Sequence, residues 1–135
     1  MIHLTPEQHV FVTERHLATL TTLRADGSPH VVPVGYTWDP DAGVVRITTS
    51  GGTVKARNAG RTGPDGRPPR AAVCQVDGGR WLTFEGPVTV SEDPEDIAEA
   101  VTRYARRYRE PRENPQRVVL VMVPDKVMSS SYMAR

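Results

Sequence analysis

From Leu17 to Leu23 apolar residues alternate with threonine, the period-2 pattern of a half-buried strand. Arg24-Ala25-Asp26-Gly27 supplies a turn, and Ser28 to Trp38 reads as the partner strand. Its Val31-Val32-Pro33-Val34-Gly35 centre carries a proline with no N–H for a ladder, which places the stretch at a sheet edge or a bulge. Such an edge leaves main-chain groups free for a ligand. After the turn Asp39-Pro40-Asp41-Ala42-Gly43, the β-branched run Val44 to Thr49 is a third strand. Ala71 to Val76 and Trp81 to Val90 flank the hairpin turn Asp77-Gly78-Gly79, the second strand bending near Gly86-Pro87. Arg117 to Val123 and a more polar Val127 to Met133 complete a set of six or seven strands.

Three stretches depart from this period. Thr5-Pro6-Glu7-Gln8 combines a capping hydroxyl, a proline suited to the first helical position and a glutamine that closes a capping box, predicting a short helix to about Arg15. Val54 to Ala59 is a second, brief helix. The third opens at Asp93-Pro94-Glu95-Asp96 and ends among Arg103, Arg106, Arg107 and Arg109, so both ends complement the helix dipole. Its apolar stripe is Ile97, Val101, Tyr104, Ala105 and Tyr108. Arg61 to Arg70, rich in Gly, Pro and charge, reads as a flexible loop too short to link domains. Hairpin-connected strands with two or three helices predict one domain over residues 1–135, a small antiparallel barrel of the α+β class, mainly β.

At 135 residues, 38% hydrophobic and 24% charged, the chain has the composition of a soluble globular domain with a single core. A net charge of +1 gives no electrostatic case for a nucleic-acid partner. Cys74 is the single cysteine and cannot form an internal disulfide. The first residues have neither a basic nor an apolar leader, and no apolar run approaches the roughly 20 residues that span a bilayer. The expected location is the cytoplasm, away from membranes. Of the 17 basic residues 15 are arginine, leaving Lys55 and Lys126 as the lysines. A lysine that persists against such a bias suits a compact ammonium at short range from phosphate oxygens.

Lys55 lies in the most informative stretch, Thr48-Thr49-Ser50-Gly51-Gly52-Thr53-Val54-Lys55, where a strand gives way to a helix. Hydroxyls, small-residue amides and a lysine one turn in make a site for a phosphate group. A polar loop capped by Thr53 accounts for the same residues without a ligand. The spacing is not that of a P-loop. His3, His9, His16 and His30 show no metal-ligand spacing and are read as surface or turn residues. Cys74, beside Val73 and Val76, fits a small core hydrophobe. Glu95 and Asp96 are explained by the helix dipole, and the arginine cluster from Arg103 to Arg112 by a solvated face. With no acid, base or nucleophile evident, catalysis here requires a bound cofactor. Pro33 and Trp81 are candidates to pack against a flat ring.

The run Leu17-Ala18-Thr19-Leu20-Thr21-Thr22-Leu23-x3-Gly27-x-Pro29-His30-Val31-Val32-Pro33-Val34-Gly35, followed by Thr48-Thr49 and Lys55, resembles the pyridoxamine 5'-phosphate oxidase-like superfamily. Within it the chain is similar to the branch that uses the deazaflavin coenzyme F420, and to its biliverdin reductase subgroup. His16-Leu17-Ala18, Gln75-Val76-Asp77-Gly78-x-Arg80-Trp81-Leu82 and Arg103-Tyr104-Ala105-x-Arg107-Tyr108-Arg109 suggest that subgroup. The resemblance implies an FMN-binding type of split β-barrel, a homodimer with two cofactor sites at its interface, and hydride transfer from reduced F420 to a conjugated small molecule such as biliverdin. It also implies that Thr48, Thr49, Ser50 and Lys55 meet the cofactor phosphate, that Val32, Pro33 and Val34 line the ring, and that Trp81 and Leu82 approach the same cofactor. In the FMN oxidases a glutamine usually stands at the position of Trp81, and a longer C-terminal segment reads the substrate phosphate; both are missing here. FMN is therefore the alternative cofactor, and a non-catalytic flavin- or haem-binding protein the alternative class. Arg57 and Arg61, near Lys55, are spaced to pair with the polyglutamate tail of F420.

Overall fold

A computed structural model describes residues 1–135. Helix α1 (Pro6–Thr13) precedes strands β1 (Ala18–Leu23), β2 (Pro29–Val34), β3 (Thr37–Asp39) and β4 (Val44–Ser50). Helix α2 (Val54–Ala59), strands β5 (Arg70–Asp77) and β6 (Arg80–Ser91), helix α3 (Pro94–Arg107) and strands β7 (Arg117–Met122) and β8 (Lys126–Ser129) follow, with a 3-10 turn over Ser131–Ala134. All pairings are antiparallel, in the order β2-β1-β5-β6-β7-β4-β3, with β8 added along β6. β2 and β3 adjoin in sequence yet stand at opposite ends of that order. The sheet therefore curls into a barrel that is split between them.

The twelve residues of β6 serve both halves, pairing with β5 up to Pro87 and with β7 from Val88 onward. Gly86 sits at the bend. A Cβ there would come within 2.4 Å of the Val123 carbonyl oxygen and 2.7 Å of the Pro124 Cα, so only glycine admits this crossing. The inward positions fill one core: Leu20 of β1, Val73 of β5, Leu82 and Phe84 of β6, Val45 and Ile47 of β4, and Leu120 of β7. Trp38 stacks on Phe84 at 5.0 Å between ring centroids, and Tyr36 meets the same ring edge-on at 6.1 Å.

Several expectations change. The stretch Ser28 to Trp38 is not one strand: it breaks at Gly35-Tyr36, and the second part leaves β1 to pair with β4. Pro33 does lie on an edge strand. The strand count is eight, α1 stops at Thr13 with its capping box formed, and the last strand ends at Ser129. Cys74 is half-buried on the outer side of β5 and belongs to no core cluster, because Val73 and Gln75 take the inward positions. His30 lies in a strand rather than a turn; it is partly buried, facing inward on β2, and its Nδ1 is buried.

The arginines of α3 are not a plain solvated face. Arg103 pairs with buried Asp39 at 3.1 Å and with Glu99 at 2.7 Å. Arg107 reaches across the split: Nη1 donates to the Tyr36 carbonyl at 2.5 Å, Nε and Nη2 to the Glu14 carbonyl at 2.9 and 2.8 Å, and Nη2 to Gln75 Oε1 at 2.8 Å. Gln75, fully buried, also accepts from the Tyr36 hydroxyl at 2.6 Å and donates to the Phe11 carbonyl at 2.8 Å. Tyr108 adds a bond from its hydroxyl to the His16 carbonyl at 2.8 Å.

Replacing Arg107 by methionine, which keeps much of the packing but none of the donors, should lower unfolding free energy by on the order of 3 kcal/mol in chemical denaturation. Burial pushes the phenols of Tyr36 and Tyr108 above the ordinary value of 10.0. The folded chain thus holds these protons more tightly than the unfolded one. Stability is full below pH 10 and falls as pH rises beyond it, so phenolate absorbance from these two residues should appear together with alkaline unfolding.

Candidate functional site

Where β4 runs into α2, Thr53 caps the helix by accepting from the Ala56 N–H at 3.3 Å, while its hydroxyl donates to the Ser50 carbonyl at 3.1 Å. Thr49 Oγ1 lies 3.1 Å from Thr53 Oγ1. The Gly51 N–H is taken by the Gln116 carbonyl at 2.9 Å, but those of Gly52 and Lys55 have no partner in the chain. The single proton of the Thr53 hydroxyl is thus spent on Ser50 and that of Thr49 on Thr53, which fixes the loop and leaves two open amides and the Lys55 ammonium at one strand-to-helix junction.

The neighbouring cations are held by neutral oxygens. Arg57 Nη1 donates to the Gly52 carbonyl at 2.8 Å, and Arg24 Nη1 to the Pro29 carbonyl at 2.6 Å. Arg61 Nη1 bridges the Leu23 carbonyl and Asn58 Oδ1, both at 3.1 Å, and Asn58 Nδ2 in turn donates to Thr22 Oγ1 at 3.0 Å. None of Lys55, Arg57, Arg61 and Arg24 forms an ion pair, whereas Arg46, Arg70, Arg80 and Arg103 are matched to carboxylates at 2.7 to 3.1 Å. Positive charge therefore accumulates uncompensated at the α2 end of the barrel. A donor set of this chemistry fits a phosphate ester.

Strand alternation divides the expected residues. Val45 and Ile47 point into the core, so Thr49 shares their side, while Thr48 and Ser50 face the other way, toward α3 and the segment after it. Ser50 Oγ accepts from Asn114 Nδ2 at 2.8 Å on that side. Val32 and Val34 face inward on β2 and Pro33 outward, exposed beside Val31. Trp81 is partly buried on the outer side of β6, its main chain clasped by Ser130. Leu82 is wholly within the core, and its main chain lies between Gln75 of β5 and Ser129 of β8, so it offers nothing to a ligand within one chain.

Sequence reading missed four members of this region: Arg24, Asn58, His30 and Thr37. The signal for His30 was its position two before inward Val32. A cleft of about 260 Å³ opens beside Arg24, Asn58, Arg61 and Arg67. A second, of about 230 Å³, lies between the end of α1, β3 and α3, bounded by Val12, Trp38, Arg103 and Arg106. Thr37, 7% exposed, is among the residues lining it, and its hydroxyl is buried without a partner. Glu14, His16 and Asp77 bring ligand atoms within 4.8 Å of one another, but Arg80 already spans both carboxylates, so the group is an ion-pair network.

A family model described as pyridoxamine 5'-phosphate oxidase matches residues 4–130. The chain belongs to that family. It is 48% identical over 128 residues to the F420H(2)-dependent biliverdin reductase of Mycobacterium tuberculosis (strain CDC 1551 / Oshkosh), covering 95% of this chain and 89% of that protein. Among solved structures, an F420 reductase superposes with a TM-score of 0.68 at 25% identity, over 89% of this chain and 94% of that one. A conserved hypothetical protein from Mycobacterium tuberculosis shares the fold with a TM-score of 0.76 at 23% identity, covering 96% of this chain and 86% of that chain.

The opposed faces of Thr48 and Thr49 make a sharp test of this family member's anion site. Inorganic pyrophosphate should raise the melting temperature of the wild type and of Thr48→Val, and should leave that of Lys55→Met unchanged.

Proposed function

We propose that this protein is an F420-dependent oxidoreductase that passes a hydride from the reduced cofactor to a conjugated small molecule. The observation that carries the reading is the Lys55 ammonium, free of any ion pair, beside the open Gly52 and Lys55 amides at the β4–α2 junction. The likeness to the mycobacterial F420H(2)-dependent biliverdin reductase supports the choice of cofactor. The deazaflavin supplies the hydride when bound. The chain's own work is to bind and orient: Lys55 and the junction amides neutralise the phosphate, Arg57 and Arg61 offer guanidiniums to the glutamyl tail, and the open edge at Val32 to Val34 offers main-chain groups to the ring.

The site is half-walled in a single chain, because α3 covers the outer side of β4 and β7 while the outer side of β2, β1, β5 and β8 has no covering layer. Leu23, Val31, Val76 and Met128 are 45%, 56%, 61% and 38% exposed on that side, with Cys74 and Trp81 between them. Large apolar exposure of this kind calls for a second protein surface. A homodimer formed through this face would bring Pro33 and Trp81 of each protomer toward the interface. No helix is long and apolar enough to cross a membrane, and the proposed setting is the cytoplasm.

Biliverdin is the proposed acceptor. Its central methine bridge would take the hydride, and its two propionates need cations at the rim. The cleft at Thr37 and Arg106 begins three residues beyond Val34 across the Gly35-Tyr36 crossover and offers the Arg106 guanidinium. An FMN enzyme remains the competing reading, distinguished by cofactor preference.

Titration with F420 and with FMN, followed by fluorescence, should show tighter binding of F420, weakened on the order of tenfold or more in Lys55→Ala. Reversing charge at both Arg57 and Arg61 should weaken F420 binding at low salt and leave binding of a tail-free deazaflavin unchanged. Arg106→Ala should raise KM for biliverdin several-fold with F420 affinity intact, and sedimentation equilibrium should give a dimer. Preference for FMN, or no turnover of biliverdin with reduced F420, would remove the corresponding part of the reading.

A further inference from the structure

His30 occupies an inward position on β2, two residues before Val32 and directly across from Thr22 on β1. Its two inward companions on the strand, Val32 and Val34, are apolar and pack against the core. An imidazole in such a row is costly to keep, since its Nδ1 is buried with no hydrogen-bond partner. Packing alone would be served by another valine or leucine. The other ring nitrogen, Nε2, is not buried and has no bond within the chain, which leaves it free for a ligand.

The orphaned nitrogen also sets which way the ring can serve. A proton on Nδ1 would be a buried N–H with no acceptor, so the neutral ring carries its proton on Nε2 and presents a donor outward. The strand partner Thr22 is bonded to Asn58, which follows Lys55 by three residues on α2, and Arg61 ties Asn58 to the end of β1. His30 is thus one strand removed from the helix that bears Lys55, with Thr22 of β1 between them. At about 3.3 Å per residue along a strand, Val32 is about 7 Å further on.

We propose that His30 binds the cofactor, its Nε2–H donating to an oxygen of the sugar-alcohol phosphate segment that joins ring to tail. The inference rests on the F420 reading above and adds to it a neutral donor between the cationic junction and the ring.

The test compares His30→Leu, which keeps bulk and loses the donor, with His30→Gln, whose side-chain amide can place an N–H near the Nε2 position. Lys55→Ala serves as the reference for the phosphate site. F420 affinity is measured by fluorescence, and the melting temperature and dimer content of each unliganded variant are recorded. His30→Leu should weaken binding about tenfold, and His30→Gln should remain within about threefold of wild type. The unliganded His30→Leu protein should melt no lower than wild type, because the buried unpaired nitrogen is gone. Repeating the titration with the phosphate-free chromophore locates the acceptor: a penalty that persists assigns a sugar-alcohol oxygen, and one that vanishes assigns the phosphate. Wild-type affinity in His30→Leu alongside lost affinity in Lys55→Ala would overturn the proposal. So would weakened binding accompanied by a lower melting temperature or loss of the dimer, which would mark the residue as structural. Unchanged affinity in both variants would overturn the phosphate site itself.

Discussion

The guanidinium of Arg107 closes a barrel that its strands leave open. β2 and β3 share no ladder and are tied to each other only through the two residues Gly35-Tyr36, so no sheet hydrogen bonds fix the angle at which they diverge. Arg107 binds the main chain of that connection at Tyr36 and the end of α1 at Glu14, and anchors both to Gln75 of β5. All its acceptors are neutral, and the charge is spread over the faces of Tyr36 and Tyr108, at 4.4 and 5.1 Å. A lysine could not reproduce this fork of donors. Because β2 and β3 flank the candidate site, the geometry of that site depends on this strut.

The three sequence stretches that suggest the biliverdin reductase subgroup meet at the same place. Gln75 comes from one, Arg107 and Tyr108 from another, and the His16 carbonyl that receives the Tyr108 hydroxyl from the third. Their joint presence reports a way of bracing the split barrel. Gly35 belongs to the arrangement, since a Cβ there would come within 2.9 Å of Tyr104 and 3.1 Å of Tyr108. Likeness in these stretches therefore speaks for scaffold geometry, and the residues proposed to meet the cofactor phosphate and ring lie elsewhere, at the β4–α2 junction and along β2.

Charge is partitioned in a way that separates structure from function. Arginines on the β3, β5 and β6 sides of the barrel are matched to carboxylates, and Asp39 accepts from both Arg46 and Arg103 although it is nearly buried. At the α2 end the cations are steadied by carbonyl oxygens instead, which orients them without cancelling their charge. A net charge of +1 over the whole chain conceals this local excess.

What the amino-acid order determined by itself was local. Alternation of Leu17 to Leu23, the capping box at Thr5 and Gln8, the capped start of the long helix at Asp93 and the Thr53-to-Lys55 junction all follow from neighbours a few residues apart, and all are found in place. The edge position of Pro33 followed from its missing N–H. Tertiary structure alone decided that Ser28 to Trp38 divides between two ends of the sheet, that Arg107 turns inward while Arg106 stays out, and that Thr48 and Thr49 serve opposite faces. It also decided that His30 keeps a nitrogen unpaired. Each of these depends on which distant residue lies across a strand or under a helix, as Gln75 lies under Arg107, and such pairings carry no period that a linear pattern can show.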